Sequence, residues 1–196
     1  MDHFHYHNGE LHAEDVPLAR IAQQVGTPVY VYSRATLERH AQVFREGLSE
    51  LPSVHLAFAM KSNPNLAVLK VLKEQGFGAD VVSEGEMRRA LAAGIPAADI
   101  VFSGVGKTRR ELAAALEARI GQFNLESEEE GEELAALAAE RGVTAPCALR
   151  VNPDVEAGTH AKISTGKAEN KFGVPYDRAA EMFDRLARLP GMNLRG

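Results

Sequence analysis

The stretch VHLAFAMKSNPN, residues 54–65, decides the fold class and supplies the first candidate for chemistry. Residues 54–59 form an apolar run of the length of a buried β-strand. Pro64 keeps Asn63 out of the helical region, so the next helix cannot start earlier. Lys61 is therefore expected in a short turn directly after the strand.

The same alternation of strand and helix continues along the chain. Apolar runs predict strands at 29–32, 54–59, 79–82, 100–103, 120–125 and 146–151. Helical spacing predicts helices at 14–24, 34–51, 66–75, 84–93, 109–118, 128–140 and 177–189. Strands joined by crossover helices pair in parallel. Lys61 would then lie at the carboxyl end of a parallel strand, where α/β active sites gather.

Three helix starts carry a capping-box spacing, a Ser or Thr followed three residues later by Glu. These pairs are Ser83 with Glu86, Thr108 with Glu111, and Ser127 with Glu130. The acidic run at 126–133 is interpreted as a helix N-terminus, where negative charge is favourable.

About five β/α units are consistent with an α/β fold of either of two kinds, an open doubly wound sheet or most of a (β/α)8 barrel. The pattern alone leaves both open. After a stop at 190–191, residues 192–196 look like the opening of a sixth strand that is cut short. We therefore expect a fragment whose sheet is not closed.

Composition narrows the class of protein. The net charge of −5 argues against a nucleic-acid or anionic-membrane partner, and no apolar run approaches membrane-spanning length. The N-terminus lacks the order of a secretory signal. A single cysteine, Cys147, excludes an internal disulfide and suits a reducing compartment. A cytoplasmic location is the expectation.

Lys61 has two interpretations on the residues alone. A strand-end lysine can serve as a Schiff-base amine when its surroundings keep part of it neutral. It can equally be a solvated surface residue of a doubly wound domain.

Several segments in the same order resemble one family, the pyridoxal-phosphate (PLP) decarboxylases built on an alanine-racemase-like barrel. They are GTPVYVY at 26–32, FAMKSN at 58–63, GADVVSEGE at 78–86, LRVNP at 149–153, and THAKISTG at 159–166 with KFG at 171–173. The resemblance covers essentially the whole chain. The segments THAKISTG and KFG most resemble the branch that acts on diaminopimelate.

The resemblance implies a fold, a cofactor and roles. The fold would be a partial (β/α)8 barrel, with a leading segment at 1–30 and the N-terminal part of the PLP-binding barrel at 31–196. Lys61 would be the catalytic residue that binds PLP covalently, with Asp80 and Arg150 also contacting the cofactor. Asp80 could instead be a strand-end carboxylate satisfied by the backbone. His160 and Lys162 belong to a long loop that could act as a lid over the substrate.

The implied activity is decarboxylation of meso-diaminopimelate to lysine, in lysine biosynthesis. The resemblance also implies that residues 1–196 lack the family's other cofactor and substrate residues and its C-terminal β-domain. We therefore expect the segment alone to be inactive. The full-length parent is expected to be a homodimer. Two alternatives stay open: a decarboxylase of another basic or polyamine-like amino acid, and a non-catalytic PLP-binding relative.

Two other motifs are weaker. Lys107 and Thr108 mimic the end of a phosphate-binding P-loop, but Val101 stands where that motif needs glycine. The histidines at 3, 5 and 7 alternate with aromatic residues, as one face of a strand would. No metal site is predicted.

Overall fold

A computed structural model describes residues 2–153 and 172–196 of the chain. The chain begins with a small antiparallel sheet, β1 (Phe4–His7), β2 (Glu10–Ala13) and β3 (Val16–Pro17), followed by helices α1 (Leu18–Val25) and α2 (Arg34–Glu46). The histidines on β1 follow the predicted strand face, because the ring of His5 stacks on that of His12 across the β1–β2 pair.

The rest of the described chain alternates strands and helices. The strands of the main sheet are β4 (Ala57–Ala59), β5 (Gly78–Val81), β6 (Ile100–Phe102), β7 (Gln122–Leu125), β8 (Ala145–Leu149) and β11 (Met192–Leu194). The helices are α3 (Leu66–Glu74), α4 (Glu84–Ala92), α5 (Arg109–Ala118), α6 (Glu128–Arg141) and α7 (Tyr176–Leu186). Two short strands, β9 (Val151–Asn152) and β10 (Val174–Pro175), form a separate parallel pair.

The order of the strands decides between the two predicted architectures. The six strands of the main sheet lie in the order β4, β5, β6, β7, β8, β11, and every neighbouring pair is parallel. A doubly wound sheet reverses this progression at a switch point, whereas a barrel wall adds each new strand on the same side. The doubly wound alternative is therefore wrong. The predicted sixth strand at 192–196 is confirmed as β11.

The two faces of this sheet differ in polarity. Alternate residues, including Ala79, Val81, Phe102 and Phe123, are buried in the hydrophobic core that the sheet shares with the helices. Because side chains alternate along a strand, their sequence neighbours lie on the opposite face. That second face carries the polar side chains described below, and it corresponds to the interior of a barrel.

The predicted helix starts are confirmed, but the capping bonds differ from the expectation at two of them. Thr108 and Glu111 form a complete capping box. Ser83 and Ser127 each accept from the backbone three residues ahead. Their glutamates bond elsewhere: Glu86 accepts from the backbone of Val82, and the Glu130 carboxylate accepts from Lys107. Glu86 thus bonds one residue before the N-cap, and a buried tertiary partner takes Glu130 away from its local motif.

Two predictions near the N-terminus are wrong. Residues 29–32 form no strand, and Tyr30 is 89% exposed, because no strand of the described residues pairs with this segment. The first helix starts at Leu18 rather than at Glu14. Glu14 instead accepts hydrogen bonds from the Ser33 hydroxyl (2.8 Å) and the Ala35 backbone (3.0 Å) at the start of α2. The Ala35 N–H and the Ser33 hydroxyl hold the pKa of Glu14 below its ordinary value.

Among residues 2–153 and 172–196, no helix combines the length and the apolar character needed to cross a membrane. In the same ranges, no three or more His, Cys, Asp or Glu side chains form a group that could hold a metal ion.

Candidate active site at the carboxyl ends of the strands

Lys61 lies where the sequence predicts, in a single 3₁₀ turn (Met60–Ser62) directly after β4. Met60 is fully buried and fixes the start of this turn. The Asn63 N–H closes the turn onto the Met60 carbonyl (3.1 Å), and the Ser62 hydroxyl donates to the Ala59 carbonyl (2.7 Å). The Lys61 side chain itself is exposed. The backbone is thus anchored around an amine that faces solvent.

Asp80 lies on the neighbouring strand β5 and pairs in register with Ala59. Ala59 precedes Lys61 by two residues. Its carboxylate accepts a hydrogen bond of 2.5 Å from the Ser103 hydroxyl. Ser103 in turn accepts from Asn124 (3.0 Å), and Asn124 accepts from Gln122 (2.7 Å). We call Asp80, Ser103, Asn124 and Gln122 the inner polar row. Within residues 2–153 and 172–196, the partner of the Asp80 carboxylate is therefore a side chain rather than the backbone.

Arg150 follows β8 at the same edge of the sheet. Its guanidinium donates to Glu126 Oε1 (2.8 Å) and lies over the ring of Phe172, 5.0 Å from the ring centre. The Arg150 side chain is 37% exposed, so the buried member of this ion pair is the carboxylate. Glu126 is the carboxylate that faces this guanidinium.

Glu126 follows β7 directly, and only 3% of its side chain is exposed. Besides Arg150, it accepts from the backbone of Gly104 at Oε1 (3.1 Å) and of Gly173 at Oε2 (2.8 Å). We call Glu126, Arg150, Gly104 and Gly173 the Glu126 cluster. It joins the loop after β6, the loop after β8 and the entry to β10.

Lys107 occupies a buried position beside this cluster. Its ammonium donates to Glu130 Oε1 (2.7 Å) and to the carbonyls of Gly104 (2.8 Å) and Asn124 (2.7 Å). The exposed side-chain fractions are 2% for Lys107 and 8% for Glu130. Burial raises the pKa of Glu130, although the Lys107 ammonium opposes this shift. All three N–H groups of Lys107 are used, which agrees with the rejection of a P-loop.

Sequence reasoning found three of the side chains at this edge and missed two. Lys61, Asp80 and Arg150 all come at or directly after strand ends, as predicted. Glu126 was interpreted only as part of an acidic helix start, and Lys107 only as a failed phosphate motif. The rule that singled out Lys61, a polar residue immediately after a buried strand, also applies to Glu126. His160 and Lys162 lie outside the described residues.

Comparison with known proteins agrees with this geometry. Residues 34–196 match the family model of the pyridoxal-dependent decarboxylases, pyridoxal binding domain. The chain belongs to this family. The resemblance seen in the sequence is thereby confirmed, and with it the pyridoxal cofactor of the family.

Curated relatives of this family match the chain over its whole length, at about 50% identity. It is 50% identical over 197 residues to a diaminopimelate decarboxylase of Vibrio cholerae and 51% identical over 196 residues to that of Pseudomonas aeruginosa. Each comparison covers 100% of the chain and 47% of the relative. The chain therefore spans about half the length of the curated relatives that it matches.

Solved structures support the fold assignment. The diaminopimelate decarboxylase of M. jannaschii, in co-complex with L-lysine, matches with a TM-score of 0.87 and 34% identity, over 98% of this chain and 46% of that one. The Helicobacter pylori enzyme complexed with L-lysine matches with a TM-score of 0.85 and 37% identity, over 90% and 45%. The sheet is part of the α/β barrel of these decarboxylases.

Proposed function

We propose that this chain supplies the lysine-bearing half of the cofactor site of a decarboxylase that converts meso-diaminopimelate to lysine. The observation that carries the proposal is the exposed Lys61 amine at the carboxyl end of β4, on the same edge as Asp80 and Arg150. The relatives at about 50% identity are diaminopimelate decarboxylases, and three of the matching structures, from two organisms, contain L-lysine. L-Lysine is the product expected from this reaction.

The residues at this edge fit a pyridoxal cofactor by their chemistry. A primary amine can hold an aldehyde covalently, and Lys61 offers one in a turn that is fixed by buried Met60. Arg150 brings a guanidinium that suits an anionic oxygen. Asp80 brings a carboxylate whose orientation Ser103 fixes.

When bound, PLP supplies an electron sink for the electron pair that remains after CO2 leaves. Lys61 would hold the cofactor and yield it to the amino group of the substrate. Asp80 would act as a hydrogen-bond acceptor near the Lys61 amine, and Arg150 would hold one edge of the cofactor. The sheet, closed on its helix side by the hydrophobic core, would keep water from reaching the site from beneath.

The proposal extends to the whole protein. A leading segment at 1–30 would precede the barrel, which begins at 31, and the full-length protein would be a cytoplasmic homodimer. Cys147 supports a reducing compartment, since this cysteine is buried and free. Sedimentation of the full-length protein measures the oligomeric state directly.

Covalent labelling tests the role of Lys61. Borohydride reduction of the full-length protein with PLP is expected to leave a pyridoxyl group on the peptide that contains Lys61. The Lys61→Ala variant should lose this label, whereas Lys70→Ala, which removes another exposed lysine nine positions later, should keep it. A label that persists on other lysines in Lys61→Ala, at wild-type yield, would refute the assignment.

Substrate competition tests the activity. CO2 release is measured with meso-diaminopimelate, ornithine, arginine and lysine under the same conditions. The highest kcat/KM is expected for meso-diaminopimelate. A higher value for one of the other three would favour the alternative of a decarboxylase for another basic amino acid. Labelling at Lys61 without CO2 release from any of them would indicate a non-catalytic PLP-binding protein.

A further inference from the structure

We propose that Glu126 is a positioning residue of the cofactor site, which acts by fixing the guanidinium of Arg150. This inference rests on the proposed function, since it gives Arg150 its role toward the cofactor. Glu126 follows β7 in the chain and Arg150 follows β8, so neighbouring strands deliver the two side chains to one edge of the sheet.

Donors surround both carboxylate oxygens of Glu126. The side chain is 3% exposed, and its oxygens accept from one guanidinium and two backbone N–H groups. A buried carboxylate without such donors would be costly. Hydrogen bonds between ionised partners are shorter and stronger than neutral ones, so this pair holds a defined geometry.

Arg150 is fixed from two further directions. Its backbone N–H donates to the Leu125 carbonyl (2.9 Å), and its guanidinium lies over the ring of Phe172. The long arginine side chain has several rotatable bonds, and each would be free without these contacts. Glu126 therefore selects one guanidinium orientation before any ligand arrives, which lowers the entropy lost on binding.

Gly173 makes this arrangement possible. Its φ is +75°, and a Cβ atom there would lie 2.9 Å from the Arg150 carbonyl oxygen and 3.2 Å from the Asn152 nitrogen. Only glycine approaches the backbone this closely in that conformation. Its N–H can then reach Glu126 Oε2, so the carboxylate spans the loops on both sides of Arg150.

A residue that only stabilises the fold would behave differently from a positioning residue. A purely structural residue affects the free energy of unfolding and acts independently of Arg150. A positioning residue affects the cofactor through Arg150, so its effect disappears once Arg150 is gone. A double-mutant cycle on cofactor affinity separates the two.

The cycle uses the full-length protein and its variants Glu126→Gln, Arg150→Gln and the double variant. Each single substitution is expected to raise the PLP dissociation constant about tenfold. The PLP dissociation constant of the double variant should be about equal to the larger of the two single-variant values. The absorption maximum of bound PLP should shift in the same direction in Glu126→Gln and Arg150→Gln. Glu129→Gln, an exposed carboxylate three residues away, is the matched control and should bind PLP like the wild type.

Glu126→Asp keeps the charge and serves if Glu126→Gln does not fold; it is expected to lose less affinity than Arg150→Gln. Wild-type affinity in a folded Glu126→Gln protein, or strictly additive effects in the cycle, would overturn the positioning role. Failure of the proposed function is distinguishable, because the wild-type protein would then not bind PLP at Lys61.

Discussion

The turn that carries Lys61 and the loops around Glu126 lie at the same edge of one sheet, but they are built in opposite ways. Around Lys61 the backbone is fixed, by buried Met60 and the hydrogen bonds of the turn, while the side chain is exposed. Around Glu126 the side chains themselves are fixed, because the carboxylate accepts from three donors and Lys107 donates to three acceptors.

The difference separates two tasks. A residue that must form and break a covalent bond needs an amine free of strong partners. A residue that must present a charge in one direction needs the opposite, a partner for each polar group. Lys61 has the first environment, and Glu126, which holds the guanidinium of Arg150, has the second. The predictions below test that division, from the largest effect to the smallest.

Removal of the Lys61 amine is expected to abolish function with little effect on the fold. In Lys61→Ala, CO2 release by the full-length protein should fall by at least about 10³-fold. The free energy of unfolding should change by less than about 0.5 kcal/mol, because the side chain is exposed. Denaturant unfolding and a steady-state assay measure the two. A large loss of stability would contradict the division of tasks.

Lys107 should show the reverse, a large effect on stability. Lys107→Met leaves Glu130 buried without its cation, and the expected destabilisation is about 3–5 kcal/mol. The double variant Lys107→Met with Glu130→Gln should recover part of that loss, since the buried charge is gone. Thermal unfolding monitored by circular dichroism gives both values. Equal stability of the wild type and Lys107→Met would contradict the buried ion pair.

Gly173→Ala tests the close approach that lets the backbone reach Glu126. Strain at a positive φ and the contact with the Arg150 carbonyl together predict a loss of about 2 kcal/mol. Gly9→Ala is the matched control, because Gly9 has a similar φ of +78° but no atom within 4 Å of an added Cβ. The difference in the loss of unfolding free energy between the two variants measures the cost of the contact between the added Cβ and the Arg150 carbonyl. Equal losses would show that backbone conformation alone matters at position 173.

Cys147 gives the smallest effect and a defined pH window. It lies on β8, the strand that leads to Arg150, and burial raises the pKa of its thiol from 9.0 to about 11. Above pH 9 the Cys147 thiol loses its proton in the unfolded chain but keeps it in the folded protein. The free energy of unfolding therefore falls as pH rises from 9 toward 11. The loss between about pH 9 and about pH 10 is about 1 kcal/mol. Cys147→Ala should flatten this part of the stability profile, and an unchanged slope would argue against the assignment.

The sequence predicts the strands that carry this site better than it predicts the hydrogen bonds and ion pairs between its side chains. Strand and helix alternation locates the sheet, and the position of Lys61 after an apolar run follows from local pattern. The local rule that found Lys61 also points to Glu126, but the partners of Glu126 and Lys107 could not be predicted, because they lie on other segments that meet only when neighbouring strands pair in register. The failed strand at 29–32 has the converse cause, since β-branched and aromatic residues favour a strand only where a partner strand exists.

The sequential order of β4 to β8 has a consequence for how the chain is made. Each of these strands pairs with the one synthesised just before it, so every new unit emerging from the ribosome finds its template already in place. Paired residues of successive strands lie 21 to 24 positions apart in the chain, so each addition closes a loop of similar length and similar entropic cost. This topology favours assembly by successive docking over a late search among distant segments.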